Sequence, residues 1–391
     1  MKNMKAKPTL YLAVATAIVV SLAAGMIFSN TRALARERQT PQAEKHSLSG
    51  PYAYKNLAIF LVHAKDVKEP ALSEAEGTKF ITLQEALEQK KATVSETGTV
   101  NNLVIENVAD DVHIYIQSGD VVRGGKQDRT IGNDYVIAPK SGKIPLSSFC
   151  VESGRWRQRG SEKADEFSAS HNALPSKGLK AAANYSRSQS TVWQEVADIQ
   201  NKLSDKLGKS VRSEQSASSL ELTLDNKEVK KASQEYIDAL SRPVDGRKDV
   251  VGYVCAINGK LNTADVYGSA ELFKKLWPKL LQACSVEALA ELQKTSEFTH
   301  PTAASAADFL QDDDQAKIQE KQINEQLRVV TRQSKDKIVF ETYRAGEQEA
   351  LHKSYIRADA KLLQQQTQPL QRQQAEPNVI NSIQQQLQPQ P

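Results

Sequence analysis

The chain has 391 residues, 39% of them hydrophobic and 25% charged, and its formal net charge is +4 at pH 7. A chain of this length and composition can bury a large core, which excludes a wholly disordered protein. The six histidines are scattered without the spacing of a zinc motif, so we predict neither a metal site nor a bound cofactor.

The N-terminal segment has the pattern of an export signal. Lysines precede an apolar stretch from Leu10 to Phe28, and Ala33-Leu34-Ala35 has the small-x-small form that signal peptidase recognises. We therefore predict a signal peptide over residues 1–35 and a periplasmic or extracytoplasmic location. An uncleaved anchor with an extracytoplasmic domain is the alternative, because an apolar stretch of this length can cross a layer of about 30 Å.

Cleavage after residue 35 would also change the charge of the chain. The segment holds four basic residues and no acidic one, so the formal net charge would fall from +4 to 0. A neutral protein has no global field that attracts nucleic acid or an anionic membrane. We therefore expect no nucleic-acid partner, a membrane contact only through an uncleaved N-terminal segment, and only local binding sites for anions.

Residues 36–50 are polar and predict a short linker before one large domain over residues 50–357. Residues 56–64 have the continuous apolar pattern of a buried strand. Thr82 and Glu85 then have the spacing of a capping box, which predicts the start of a short helix.

The first part of the domain, residues 50–155, is predicted to be rich in strands. Apolar runs on either side of residues 109–111 read as a hairpin, and two more strands are joined by the Pro- and Gly-containing residues 139–143. We expect a sandwich or a jelly-roll-like layer here.

Residues 157–190 are rich in Ser, Arg and Gly and predict a long loop or lid. Two helices are predicted next, the first ending at Gly208 and the second before Pro243. The first helix has a regular apolar face, formed by Val192, Val196, Ile199, Leu203 and Leu207.

The rest of the helical and hairpin part, residues 191–357, has two hairpin signals. Asn258-Gly259 between apolar strands favours a tight turn with positive φ. A helix that follows is expected to be interrupted or kinked at Pro278. A final hairpin is predicted around Ala345-Gly346.

Two polar segments complete the pattern. The insertion over residues 301–335 is predicted to be mobile at first and helical later, and the Gln- and Pro-rich residues 361–391 to be a disordered tail that could meet a protein partner. The fold class is therefore α+β, with an N-terminal β-rich layer followed by an α/β half of hairpins and packed helices.

The three cysteines are an odd number for an oxidising compartment. Cys150 and Cys255 lie in apolar strand-like runs, which predicts small buried side chains. A bridge between Cys255 and Cys284 stays open as an alternative.

The most distinctive polar segment lies between two predicted strands, at Gly124 and Gly125 and the Lys-Gln-Asp-Arg run after them. Glycines allow backbone N–H groups to approach a ligand, and arginine forks suit phosphate or carboxylate. We predict a small-anion site here, with Asp128 as a general base if there is turnover. Its predicted ligand-binding residues are Gly124, Gly125, Lys126, Gln127, Arg129, Glu152, Arg155 and Trp156.

A second polar group follows the Asn-Gly turn. Asn258 is a candidate ligand-binding residue, and Asp265 is a second candidate base. Charged turns are also common simply because loops are solvated, so a purely structural role for both groups is the alternative.

Several blocks resemble the first type of the ARG and rhodanese-phosphatase-superfamily-associated protein family. They are RGGKQDR, FCVESGRW, STVWQEV, INGK and KLWPKLL, in that order, within a resemblance that covers most of residues 49–357. The resemblance implies a role near ADP-ribose-like metabolites. The export signal, the insertion and the tail have no counterpart in the family pattern.

Two functions are compatible with these patterns. The first is an exported domain that binds a small phosphorylated or nucleotide-like anion. The second is a non-catalytic cell-envelope module that binds another protein. The pattern does not decide whether the chain is an enzyme.

Overall fold

The computed structural model describes residues 46–65, 79–294 and 297–364. The predicted signal peptide or anchor lies outside the described residues, as do residues 365–391 of the predicted tail. The first residues of the predicted tail belong instead to a short helix, Ala360–Gln364. All described residues belong to one compact unit. Among them, no helix combines the length and the apolar character needed to span a membrane.

The described strands have the following bounds: β1 (His46–Tyr54), β2 (Leu57–Ala64), β3 (Lys79–Thr82), β4 (Ala92–Glu96), β5 (Asn102–Asn107), β6 (Val112–Ile116), β7 (Asp120–Gly124), β8 (Arg129–Ile131), β9 (Tyr135–Ile137), β10 (Lys143–Cys150), β11 (Glu166–Ala173), β12 (Val250–Ile257), β13 (Lys260–Tyr267), β14 (Lys317–Asn324), β15 (Leu327–Gln333), β16 (Lys337–Arg344) and β17 (Ala350–Arg357).

The described helices are α1 (Leu83–Glu88), α2 (Lys177–Ala181), α3 (Gln189–Leu207), α4 (Leu220–Leu224), α5 (Lys227–Leu240), α6 (Ala270–Glu291), α7 (Ala303–Phe309) and α8 (Ala360–Gln364). A π-helical turn, Ala182–Ser186, directly follows α2, and a 3₁₀ turn, Arg242–Val244, follows α5.

An eight-stranded antiparallel sheet forms the centre of the fold, in the order β1-β2-β12-β13-β17-β16-β15-β14. The side chains of its inner strand β2 alternate between the two faces of the sheet, and both faces are covered by other elements. Leu57, Ile59 and Leu61 belong to the core cluster that includes residues of α3, α5 and α6. Phe60 belongs to a cluster on the other face, which includes Phe309 of α7.

The second sheet is a closed six-stranded barrel, in the order β10-β5-β4-β11-β7-β8. Closure leaves this sheet without exposed edges. Its apolar cluster includes Val94, Ile105 and Phe167, and it continues into Ile114 and Ile137 of a small sheet, β3-β6-β9.

The fold class α+β is confirmed, but the β-rich part is a closed barrel instead of a sandwich or jelly roll. The predicted hairpin around residues 109–111 is wrong. Its two strands exist, but β5 pairs with β4 and β10, whereas β6 pairs with β3 and β9. The two strands on either side of residues 139–143 likewise belong to different sheets.

Four other segments differ from the sequence predictions. The predicted loop over residues 157–190 contains β11, α2 and the π turn, and the predicted linker ends in strand β1. In the insertion the helix α7 comes first, and the later part forms the β14–β15 hairpin. The helix α6 continues through Pro278, so the interruption that was the first of the two predicted forms is absent.

Other local predictions are confirmed. Thr82 and Glu85 form a capping box, and Gly208 ends α3 in the left-handed conformation. The hairpins at Asn258-Gly259 and Ala345-Gly346 are both present. The cysteines, Cys150, Cys255 and Cys284, are buried and free, so the alternative bridge is not formed.

Candidate functional site

The predicted anion site lies in the turn between β7 and β8. We call the segment Gly124–Arg129, together with Glu152, Arg155 and Trp156, the turn cluster. Gly124 and Gly125 have φ values of 121° and 55°, which favour glycine. A Cβ at Gly125 would lie 2.4 Å from the ring of Phe167, so this glycine is required by packing inside the barrel.

Asp128 is fully buried at the centre of the turn cluster. Arg159 donates to its two oxygens at 2.8 and 3.0 Å, and the backbone N–H of Gly124 donates at 3.0 Å. The hydroxyl of Ser219, the N-cap of α4, donates at 3.1 Å. Since its oxygens are occupied by these donors, Asp128 is poorly placed to act as a general base on a ligand.

The two arginines of the turn cluster, Arg129 and Arg155, also contact carboxylates of the protein. Arg155 donates from Nε to Glu152 at 2.8 Å, and Arg129 lies 3.3 Å from Glu96. Arg155 also donates to the carbonyl of Gly125 at 3.1 Å. The positive charges that suggested an external anion are therefore balanced internally, which argues against a ligand site at this turn.

The remaining members of the turn cluster differ in their exposure. Gln127 is buried, Lys126 is exposed and Trp156 is half-buried. The backbone N–H of Lys126 donates to Glu96 at 3.1 Å, so this side of the turn is fixed by the barrel.

A separate cavity lies between the barrel loops, the α2–π segment and the eight-stranded sheet. Its volume is about 200 Å³. We call it the His352 cavity and define it by its charged lining residues, Asp134, Lys180, Arg187, Asp265, Glu320, Lys321 and His352.

A row of alternating positive and negative side chains lines the wall of the His352 cavity. His352 Nδ1 lies 2.8 Å from Asp134, and its Nε2 lies 3.2 Å from Asp265. Lys180 Nζ lies 3.3 Å from the second oxygen of Asp265, and Tyr253 donates to that oxygen at 2.7 Å. Contact with a carboxylate at both ring nitrogens favours the imidazolium form of His352.

The electrostatics of the wall follow from burial and these pairs. Burial opposes the charged form of His352, but Asp134 and Asp265 outweigh it and raise the pKa of His352 to about 9. Burial would raise the pKa of Asp265, but Lys180 and His352 hold that pKa well below its usual range. An ionised carboxylate with such a low pKa is a weak general base, so the structure does not favour that role for Asp265.

Further contacts hold Asp134 and His352 in place. Thr342 donates to Asp134 at 2.6 Å, and the backbone N–H of Ser118 donates to its other oxygen at 2.7 Å. The ring of Tyr267 stacks on His352, with centroids 4.5 Å apart. Asp134 and His352 are therefore each held by more than one contact.

Arg187 differs from the other cations described so far, because its hydrogen-bond acceptors are neutral. It donates to Asn133 at 3.1 Å, to Ser147 at 2.8 Å and to the carbonyl of Gly132 at 3.3 Å. All of these acceptors are neutral, and within the described residues no carboxylate forms an ion pair with Arg187. Burial lowers the pKa of Arg187, which is consistent with a guanidinium that lacks a neighbouring negative charge.

The candidate residues from the sequence are therefore divided among three places. Asp265 lies in the His352 cavity, whereas the turn cluster is a separate buried network. Asn258 lies at another cavity of about 810 Å³, where it donates to the carbonyl of Glu291 at 2.7 Å and accepts from Asn56 at 3.0 Å. In the described part of the chain, no three His, Cys, Asp or Glu side chains are grouped to hold a metal ion.

Sequence reasoning missed Lys180, Arg187 and His352. His352 could have been found because it is a polar residue at a buried position in the strand pattern of β17. A buried polar side chain needs hydrogen-bonding partners, so such a position indicates a polar contact. Lys180 and Arg187 lie in the Ser- and Arg-rich segment that was predicted to be a loop, where no periodic pattern shows which side chains point inward.

Comparison with known proteins gives one family and no individual relative. The family described as "ARG and Rhodanese-Phosphatase-superfamily-associated Protein domain" (ARPP-1) matches residues 45–356. No curated protein matches significantly. No solved structure matches significantly either.

The turn cluster generates a stability prediction. Replacing Asp128 by Asn should leave Arg159 buried without its main counter-charge and lower the free energy of unfolding by about 3–5 kcal/mol. Urea denaturation measures this change. Glu166→Gln is the control, because Glu166 pairs with Lys163 at the exposed surface and its loss should change little. Equal effects of both variants would contradict the role of Asp128.

The His352 cavity generates a pH prediction. The folded-state pKa of His352, about 9, lies above its unfolded value of about 6.5, so the imidazolium stabilises fully below pH 6.5 and this stability is lost as pH rises through 9. Between pH 7.5 and 9.5 we expect the free energy of unfolding to fall by about 2 kcal/mol in the wild type. In His352→Gln this decline should be absent.

Other buried acids do not interfere in this range. Burial raises the pKa of Glu221 and of Glu287 to about 7, so both titrate mainly below it. Parallel pH profiles for the wild type and His352→Gln would show that His352 is not charged in the folded protein.

Proposed function

The chain belongs to the ARG and Rhodanese-Phosphatase-superfamily-associated protein family, and we propose that it binds a small anionic molecule in the His352 cavity. The turn cluster is the weaker candidate, because its arginines contact the protein's own carboxylates. The cations of the His352 cavity have neutral hydrogen-bond acceptors or share a carboxylate with another cation.

Arg187 is the observation that supports this proposal most strongly. Arg129, Arg155 and Arg159 each have a carboxylate within ion-pair distance, whereas Arg187 contacts only neutral acceptors among the described residues. A partly buried charge without a counter-charge is unfavourable, and a guanidinium fork suits a phosphate or carboxylate group. A bound anion would supply the missing charge.

The size of the cavity limits what the anion can be. A volume of about 200 Å³ is smaller than the roughly 300–1,000 Å³ of most ligand pockets. It suits a small phosphorylated or carboxylated molecule. A nucleotide or an ADP-ribose-like ligand would place only a phosphate group in the cavity and extend outward.

We also propose that the domain works outside the cytoplasm. The support is the N-terminal pattern alone, with its lysines, its apolar stretch and the Ala33-Leu34-Ala35 sequence.

A ligand screen by thermal unfolding tests the binding proposal. An anion present at about 1,000 times its Kd should stabilise the wild type by about 4 kcal/mol. Inorganic phosphate and ADP-ribose are suitable probes. Arg187→Gln should abolish the stabilisation, and Arg187→Lys, which keeps the charge without the fork, should retain part of it.

Arg212→Gln is the matched control for this screen. Arg212 also donates to neutral acceptors, Asn201 and the carbonyl of Ala217, but it does not line the His352 cavity. It should respond to anions as the wild type does. If no anion stabilises the wild type, the binding proposal fails, and the cell-envelope interaction module becomes the better hypothesis.

The N-terminus of the mature protein tests the export proposal. Protein recovered from the extracytoplasmic fraction should begin at Arg36, as measured by N-terminal sequencing and intact mass. Ala35→Phe should block cleavage, because signal peptidase requires a small residue there. A membrane-bound chain that still begins at Met1 would instead support the anchor.

A further inference from the structure

The charges that line the His352 cavity do not cancel. Lys180, Arg187, Lys321 and the His352 imidazolium are positive, and Asp134 and Asp265 are negative. The remaining charged lining residue, Glu320, lies 3.5 Å from Arg328 on the neighbouring strand and is balanced by it. The cavity therefore carries two uncompensated positive charges.

These two charges belong to Arg187 and Lys321, which approach the cavity from different elements. Arg187 follows the π turn, and Lys321 lies on the edge strand β14. Within the described part of the chain, neither side chain forms an ion pair with a carboxylate. Lys180 and His352, in contrast, share the carboxylates of the cavity wall.

The two uncompensated cations repel each other. Burial and, after it, the positive charge of Arg187 lower the pKa of Lys321. Both side chains line the same cavity, and a ligand with negative charge between them would offset their repulsion. The arrangement is therefore preorganised for an anion that contacts both side chains.

We propose that the ligand of the His352 cavity is the dianion of a phosphate monoester, with its phosphate group held between Arg187 and Lys321. This inference rests on the proposed function and specifies its ligand. One negative charge would leave one of the two cations without a partner, whereas two negative charges balance both. A tetrahedral phosphate also offers several acceptor oxygens to the guanidinium fork and the ammonium group.

Neutral groups at the cavity can complete the recognition. Asn184 accepts a hydrogen bond from Ser118 at 2.6 Å through its side-chain oxygen, so its amide N–H groups remain donors. Asn184 lines the cavity together with Thr331 of β15. Both residue types can donate to phosphate oxygens.

The charge balance also predicts how binding depends on pH. A phosphate monoester loses its second proton near pH 6, so the dianion predominates above that value. His352 faces Asp134, Asp265, Thr342 and the ring of Tyr267, and its raised pKa of about 9 keeps it charged up to that pH. Affinity should therefore be highest between about pH 6 and pH 9 and should fall on both sides.

A pair of ligands that differ only in charge tests this proposal. Methyl phosphate is a dianion at pH 7.5, and methyl sulfate has the same shape but one negative charge. Isothermal titration of the mature protein should show methyl phosphate binding at least about tenfold more tightly than methyl sulfate.

Lys321→Gln should reduce this preference to about threefold or less, because one of the two uncompensated cations is removed. Because the side chain of Lys321 is exposed, we expect this variant to fold as the wild type does, and circular dichroism checks its folding. Lys317→Gln, on the same strand but away from the cavity lining, is the matched control and should keep the wild-type preference.

The outcomes separate the two proposals. Equal affinity for methyl phosphate and methyl sulfate would overturn the dianion proposal and leave anion binding in place. An unchanged preference in Lys321→Gln would also overturn it. If neither ligand binds at any pH, and the wider anion screen is negative as well, the proposed function falls together with the dianion proposal.

Discussion

The buried carboxylate of Asp265 is the interaction on which the cavity depends. A carboxylate removed from water is costly unless charged and hydrogen-bonding partners surround it. Here the partners come from separate parts of the chain, namely Lys180 after β11, Tyr253 on β12 and His352 on β17. His352 then extends the network to Asp134 in the barrel region. The same few contacts therefore hold the barrel loops against the sheet and set the charge of the cavity wall.

The two clusters of charged residues show how similar compositions can have different roles. In and beside the turn cluster, the arginines lie at ion-pair distance from carboxylates of the protein, and Asp128 is at the centre of this network. At the His352 cavity, Arg187 contacts only neutral acceptors within the described residues. The difference lies in whether the counter-charge is part of the protein, and only the second arrangement favours a ligand.

The sequence predicted the features that depend on short-range pattern. The face of α3, the capping box at Thr82 and the Asn258-Gly259 turn all follow from spacing within a few residues. The family resemblance is confirmed by the match to residues 45–356. Pairing between distant strands has no such local signal, so neighbouring strands β5 and β6 were taken for a hairpin although they belong to different sheets.

The same limit explains the outcome for the candidate site. A count of charges around Arg129 and Arg155 shows that cations are concentrated, but not that Glu96 and Glu152 lie against them. Asp265 was identified because it follows a recognisable hairpin turn, but its partners Lys180 and His352 lie 85 and 87 positions away in sequence. Its low pKa, which makes it a weak base, depends on that long-range contact.

The edge strand β14 has a consequence for how the wall of the His352 cavity can change. Its side chains are almost all exposed, and it pairs on one side only, with β15. Substitutions there disturb little of the core, yet Gln319 and Lys321 of this strand face the cavity. Substitutions on this tolerant surface strand can therefore alter one wall of the cavity while the buried residues of the sheet remain fixed.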